Sequence, residues 1–415
     1  MPLDYDILIT GAGPAGCAAA YDLARAGKRV LLLDKRSFPR PKACACGLTR
    51  KTLAALRYSV DPIVERVCHE IVLQQTSPDP AHREVRVKTR NPICAMAVRE
   101  RFDHFCLQQT LAAAANGGAV ALRKIESIAA IRQHAAHVEL DIISTGGLVE
   151  TLRASVLIGA DGSNGQTRRM LQQDSQAEGV PPSAQDWYER GFALEATIPY
   201  ANLPAKLPAG DAATDLVFDF APLPGGYGWL FPKGDHINIG VGTFSPTPNP
   251  GAPGPDSGTR ASTEANLKQV TRKLLADYTQ HKLGVSLPAE VTGQHLGMGG
   301  HAYVPRGRVL LVGDAAGLVD PLTGEGIHSA VISGQAAAAA ILSNTTDLAA
   351  AYAKALQPLQ ETLAFSRRAA RAFYREPERG FRVMRTPILR GLVLKTYADG
   401  LPHTKLLGRL ARLIA

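Results

Sequence analysis

The chain has 415 residues, 45% hydrophobic and 20% charged, the balance of a globular protein of more than one domain. No apolar run reaches the ~18–20 residues that cross a bilayer, and the six cysteines have neither the density of a disulfide framework nor paired metal-ligand spacing. The net charge of +9 sits entirely at one end: residues 366–415 hold 12 Lys and Arg against 3 Asp and Glu, while the remainder balances at 34 of each.

Met1-Pro2-Leu3-Asp4 leads directly into a strand-like run, Tyr5–Thr10, with no signal-peptide pattern, so a cytoplasmic location is expected. Gly11-Ala12-Gly13-Pro14-Ala15-Gly16 follows, then a small-residue helix over 17–26, the stop Gly27 and a second strand, Arg29–Asp34. This is G-x-G-x-x-G in its full strand–helix–strand setting, which points to dinucleotide binding. Gly11 serves the tight turn, Gly13 the approach of a pyrophosphate and Gly16 close packing of helix on strand. Ala15 lies in the same turn. Asp34 is placed for an adenosine ribose, with Lys35 beside it. The motif alone does not separate FAD from NAD.

Residues 38–49 form a loop, 50–57 a short helix, and 60–95 short strands including Glu70–Gln75 and Glu84–Lys88. Arg99 opens a helix ending near residue 116. Strands over 120–154 precede Ser155–Ile158 and the sequence Gly159-Ala160-Asp161-Gly162-Ser163. Residues 190–243 alternate as strands, 245–262 are Pro-, Gly- and Ser-rich, and 263–283 are helical. The run Val309–Val312 is a buried strand. It enters Gly313-Asp314-Ala315-Ala316-Gly317 and Pro321-Leu322-Thr323-Gly324-Glu325-Gly326-Ile327, and a helix over 327–342 leaves it. Four glycines, one of them Gly326 at the helix start, let backbone come close to a large ligand. Glu325 is expected to cap that helix.

The order and spacing of Gly11–Gly16, Gly159–Ser163 and Gly313–Gly317 resemble the FAD-dependent oxidoreductases with the p-hydroxybenzoate hydroxylase fold. Pro224-x-x-Tyr227-x-Trp229-x-Phe231-Pro232-Lys233 looks like the P-x-x-Y-x-W-x-F-P-K signature of the geranylgeranyl reductase family, and Lys42-Ala43-Cys44-Ala45-Cys46-Gly47-Leu48 resembles its K-x-C-G-G-G-L segment. Cys44 falls on the family cysteine, while Ala45 and Cys46 replace two glycines, which would stiffen the loop. Gly165 stands where a serine is usual.

The resemblance implies an α/β fold: a Rossmann-like FAD-binding domain (1–58, 96–172 and 293–345) interleaved with an antiparallel β-sheet substrate domain (59–95 and 173–292), then a C-terminal helical, basic segment (346–415). It implies FAD held by Gly11, Gly13, Ala15, Gly16, Asp34, Lys35, Arg99, Asp161, Asp314, Pro321, Gly324, Gly326 and Ile327. Cys44 and Tyr227 become catalytic candidates. Tyr227, Trp229 and Phe231 share one strand face and form an aromatic wall, with Lys233 either at the surface or meeting a substrate head group.

The expected activity is an FAD-dependent reduction of carbon–carbon double bonds in an isoprenoid or similar apolar substrate, with NAD(P)H or reduced ferredoxin as donor; no second G-x-G-x-x-G is present, so any pyridine nucleotide would bind transiently. The rival readings are a monooxygenase of the same fold, a halogenase and a flavin-binding scaffold. The halogenase signature G-W-x-W-x-I-P would have Tyr227 in place of its first Trp and Phe231 in place of its Ile. No metal site is expected. The basic, apolar C-terminal segment lacks a nucleic-acid motif and suits a peripheral contact at the inner face of a membrane.

Overall fold

A computed structural model describes residues 2–75, 84–115, 117–177, 187–207, 216–220, 225–244 and 260–400. Pro224, most of the 245–262 loop and the basic residues beyond 400 lie outside the described residues. The strands form two seven-stranded sheets and a three-stranded sheet of Gly47–Thr49, Cys94–Met96 and Arg66–Cys68.

The first sheet has five parallel strands in the order Ala119–Gln133, Arg29–Asp34, Ile7–Thr10, Val156–Gly159 and Val309–Leu311, and an antiparallel extension, Val138–Ser144 and Val149–Ala154. Its central strands are buried throughout, as expected for parallel strands covered on both faces. Helices Pro14–Arg25 and Ile327–Leu342 cover one face, and their small residues let the backbones meet. A Cβ on Gly334 would lie 2.3 Å from the Ala15 carbonyl oxygen. Leu23, Leu32, Ile158 and Leu310 fill the core beneath them.

The second sheet runs Thr292–Met298, Glu189–Pro199, His236–Thr243, Gly226–Pro232, Leu216–Asp219, Glu70–Gln74 and Glu84–Lys88. It is antiparallel except where Leu216–Asp219 pairs in parallel with Glu70–Gln74. Leu230, Ile237, Ile239 and Val241 pack with Leu275 and Tyr278 of helix Arg260–Leu283, which covers the outer face. The inner face carries Tyr227, Trp229 and Phe231. Residue 293, the expected return to the first domain, falls inside an edge strand of this second sheet. The chain rejoins the parallel sheet only at Val309. Helices Leu348–Arg375, Pro377–Arg385 and Pro387–Asp399 close the described chain.

Candidate active site

The three glycine-bearing segments leave the carboxyl ends of three adjacent parallel strands, where α/β sheets bind ligands. A cavity of about 540 Å³ starts there and runs to the inner face of the second sheet. Gly11, Gly13, Ala15, Asp34, Lys35, Arg99, Asp161, Asp314, Gly324, Gly326 and Ile327 line it, as do Cys44, Tyr227, Trp229 and Phe231.

At one end, Gly11 adopts φ +97°, and a Cβ there would meet the Ala160 carbonyl oxygen at 2.3 Å. Gly16 sits behind the wall, where a Cβ would lie 2.0 Å from the Gly11 oxygen. Gly13 differs from both: a Cβ there would approach only an Arg40 guanidinium nitrogen, at 3.5 Å. The space over Gly13 is therefore kept for something other than protein. Gly13 is also the N-cap of helix Pro14–Arg25 and supplies no side-chain cap, so the first-turn N–H groups remain for an anion. Asp34 accepts from the Ala12 N–H at 2.9 Å and from the Arg36 N–H at 2.9 Å, which fixes its carboxylate at the cavity edge. These features fit the ADP half of a dinucleotide.

Asp161 faces the cavity but caps a helix. One oxygen accepts from the Thr167 N–H at 2.9 Å and from its hydroxyl at 3.0 Å. A Cβ on Gly165 would lie 2.2 Å from the other oxygen, so glycine accommodates this carboxylate where the family usually has serine.

The loop after Asp314 is braced from several directions. Asp320 Oδ1 accepts from the N–H groups of Leu322 and Thr323, each at 2.9 Å. The Tyr374 hydroxyl donates to the Leu322 carbonyl at 2.8 Å, and the Tyr227 hydroxyl donates to the Thr323 carbonyl. This turn folds Pro321 into the interior, so it is buried and does not line the cavity, contrary to expectation.

Glu325 does not cap the following helix either. Its carboxylate accepts from Thr49 at 2.7 Å and Thr52 at 3.2 Å and pairs with Lys51 at 2.6 Å. Gly326 is the N-cap, without a side-chain cap, and the N–H groups of Ile327 and its successors stay available at the cavity. A positive helix end at this point stabilises negative charge by about 0.3–2 kcal/mol.

Lys233 requires the clearest correction. It is 3% exposed and does not line the cavity. Its ammonium donates to the Ala45 carbonyl and, at 2.9 Å, to that of Ala97, which pins the Cys44 loop from behind. Burial lowers its pKa. Lys233→Met should leave those two carbonyls short of a donor and cost about 1–3 kcal/mol, read from the urea midpoint, rather than change recognition of a substrate head group.

At the far end, Trp229 Nε1 donates to Asn238 Oδ1 at 2.7 Å. Trp229, Gly240 and Glu195 stand in register on three neighbouring strands. A Cβ on Gly240 would lie 2.0 Å from the indole, so glycine lets the ring lie across the sheet. The Asn238 side chain also bonds Glu195. Glu195 in turn accepts from the Cys44 N–H at 2.8 Å. Burial, reinforced by the neighbouring Cys44, pushes the Glu195 pKa up to about 8.

Cys44 is held well below the ordinary thiol range, first by a hydrogen bond from the Cys46 thiol, with burial opposing and the Arg99 charge assisting. Cys46 keeps the glycine-like backbone of the residue it replaces, φ +48°. It also donates its N–H to Cys44 Sγ at 3.3 Å. Arg99 is buried and oriented by Asp103, which accepts from its Nε at 2.7 Å.

Glu195 went unnoticed in sequence because it lies in an alternating strand with no motif around it. Its only hint is a carboxylate at an otherwise apolar stretch, Phe192–Ala196. A group of His134, His137 and Glu139 is spaced for a cation, but Glu139 is taken by Arg132 and Arg153, so no metal is assigned there.

Residues 4–183 match the FAD binding domain family. A digeranylgeranylglycerophospholipid reductase of Methanosphaera stadtmanae is 30% identical over 80% of this chain and 76% of its own. The chain belongs to the geranylgeranyl reductase family of FAD-dependent oxidoreductases. A menaquinone reductase of Mycolicibacterium smegmatis is likewise 30% identical, over 85% of this chain and 80% of its own. A geranylgeranyl bacteriochlorophyll reductase-like protein from Thermoplasma acidophilum shares the fold, with TM-score 0.70 at 18% identity over 97% of this chain and 98% of that one. A flavin-dependent brominase shares it too, with TM-score 0.66 at 17% identity over 95% and 93% of the two chains. As a member of the geranylgeranyl reductase family the chain is an FAD-dependent oxidoreductase. Gly13, Asp34, Asp314, Gly326 and Ile327 all line the cavity in which a dinucleotide would lie.

Proposed function

We propose that this protein saturates carbon–carbon double bonds of a long isoprenoid or similar polyene chain. The observation that carries the reading is the single cavity joining the dinucleotide end to a wall of Tyr227, Trp229 and Phe231, with Glu195 and Cys44 at that wall. Apolar area is the main handle such a chain offers, at ~25 cal/mol per Å², and an aromatic wall supplies it. Relatives named for a digeranylgeranyl lipid and for menaquinone support the same class. FAD, when bound, supplies the hydride, with NAD(P)H or a reduced ferredoxin as the donor that recharges it.

The chain's own contribution is position and a proton. Tyr227 keeps its hydroxyl on Thr323, so it holds the wall against the cofactor loop and presents its ring. With its pKa pushed up to about 8 by burial, Glu195 is neutral at pH 7 and able to give a proton to the second alkene carbon. The Cys46 thiol and the Arg99 charge both draw the Cys44 thiol below its ordinary range.

The test is direct. Purified holoenzyme with chemically reduced FAD is given geranylgeranyl substrates under anaerobic conditions, and products are weighed by mass spectrometry. A gain of two hydrogens per bond is expected. Substrates recovered intact, or a product carrying added oxygen when air is admitted, would overturn the reading.

A further inference from the structure

The helices that close the described chain have two unlike faces. Phe381 and Met384 of helix Pro377–Arg385, and Leu394 and Ala398 of helix Pro387–Asp399, are buried in the same apolar cluster as Trp229 and Phe231. The Phe381 ring stands 6.0 Å from that of Phe220, and Tyr397 lines the cavity itself. These helices therefore roof the aromatic end of the site.

Their outer faces are basic and partly apolar. In the first helix Arg379, Arg382 and Val383 are spaced i, i+3, i+4, share one side and are exposed. At the corner Thr386 and Pro387 are exposed, and Ile388 and Val393 beyond it are 57% and 37% exposed. Glu376 pairs with Arg379 and Asp399 with Arg50 at 2.5 Å, which leaves Glu378 as the one exposed carboxylate of these helices without a cationic partner among the described residues. Arg375, Arg382 and Lys395 are exposed without an acidic partner among the described residues. Cationic side chains beside uncovered aliphatic ones match a surface with anionic head groups over an apolar layer, and each cation near such a surface adds to the attraction. A nucleic-acid surface would leave Val383 and Ile388 without a role.

We infer that the corner between helices Pro377–Arg385 and Pro387–Asp399 is a docking surface for an anionic lipid bilayer, which sets the roof of the cavity against the membrane. The inference deepens the proposed function, because an isoprenoid chain would then enter from lipid across one layer of helix, about 10 Å thick.

The experiment is co-sedimentation of the full-length holoenzyme with vesicles of phosphatidylglycerol and phosphatidylcholine, or of phosphatidylcholine alone, without any isoprenoid substrate. Binding to the anionic vesicles is expected, weakened by salt. The double variant Arg382→Glu/Lys395→Glu should reduce the partition coefficient at least tenfold, and Ile388→Ser severalfold, with flavin content and thermal midpoint unchanged. Equal binding to neutral vesicles, no binding at all, or full binding by both folded variants would overturn the inference. Because no substrate is present, these outcomes are independent of whether the reductase reading holds.

Discussion

Glu195→Gln should lower the rate of double-bond reduction about 10²-fold or more, the usual scale for losing a general acid, while FAD binding stays intact. Glutamine keeps the acceptor for the Cys44 N–H, so the loop should hold its place. The pH profile separates a proton donor from a structural brace. With a pKa near 8, Glu195 is protonated and competent at pH 7, and the wild-type rate should fall as pH rises through about 8. The glutamine variant should lose that limb, and Glu195→Asp should recover part of it.

Stability provides a second readout. Burial raises this carboxyl above its unfolded value, so the folded state holds the proton more tightly. The contribution is fully present below the ordinary glutamate range and is lost as pH climbs to about 8, at about 1.4 kcal/mol per pH unit within that window. Urea midpoints of Glu195→Gln should therefore decline less over pH 5–8 than those of the wild type. Parallel declines, or an unchanged pH–rate limb, would remove Glu195 from the chemistry.

The second large effect separates two glycines of one motif. Gly16→Ala places a methyl 2.0 Å from the Gly11 carbonyl oxygen, a backbone atom between strand and helix that has little room to move. The variant is expected to lose several degrees of thermal midpoint and to purify without flavin. Gly13→Ala meets only the Arg40 side chain, at 3.5 Å, so the apo-protein should keep its midpoint. The added methyl projects into the space over the helix start, and FAD affinity should fall at least tenfold by fluorescence titration. If Gly13→Ala binds FAD as tightly as the wild type, the pyrophosphate does not lie over that glycine.

The site was unevenly legible in sequence because its two halves are specified in different ways. The phosphate end is local: Gly11, Gly13, Gly16 and Asp34 fall within one strand–helix–strand unit, and short-range geometry dictates which residues can stand there. The same holds for the loop at Asp314–Ile327, whose glycines and helix start are contiguous. The aromatic wall could be read from alternation, because Tyr227, Trp229 and Phe231 are two residues apart on one strand.

Lys233 continues that alternation, yet it lies behind the Cys44 loop rather than at its mouth. Its ammonium is spent on the Ala45 and Ala97 carbonyls, more than 130 residues away. Glu325 looked like a helix cap, and Thr49, Lys51 and Thr52 draw it elsewhere. Pro321 was expected beside the ligand, and the turn set by Asp320 takes it inside.

By itself the sequence determined a dinucleotide-binding turn, the aromatic face and the location of the positive charge. Each of these depends on spacing within a short stretch or on composition. Only the tertiary structure decided where the proton resides and what roofs the cavity. Glu195, Asn238, Trp229 and Cys44 come from four separated segments, and it is their shared burial that keeps the carboxyl neutral. A carboxylate's pKa is a property of its surroundings, and here those surroundings are assembled by sheet register and by a loop 151 residues away in the chain.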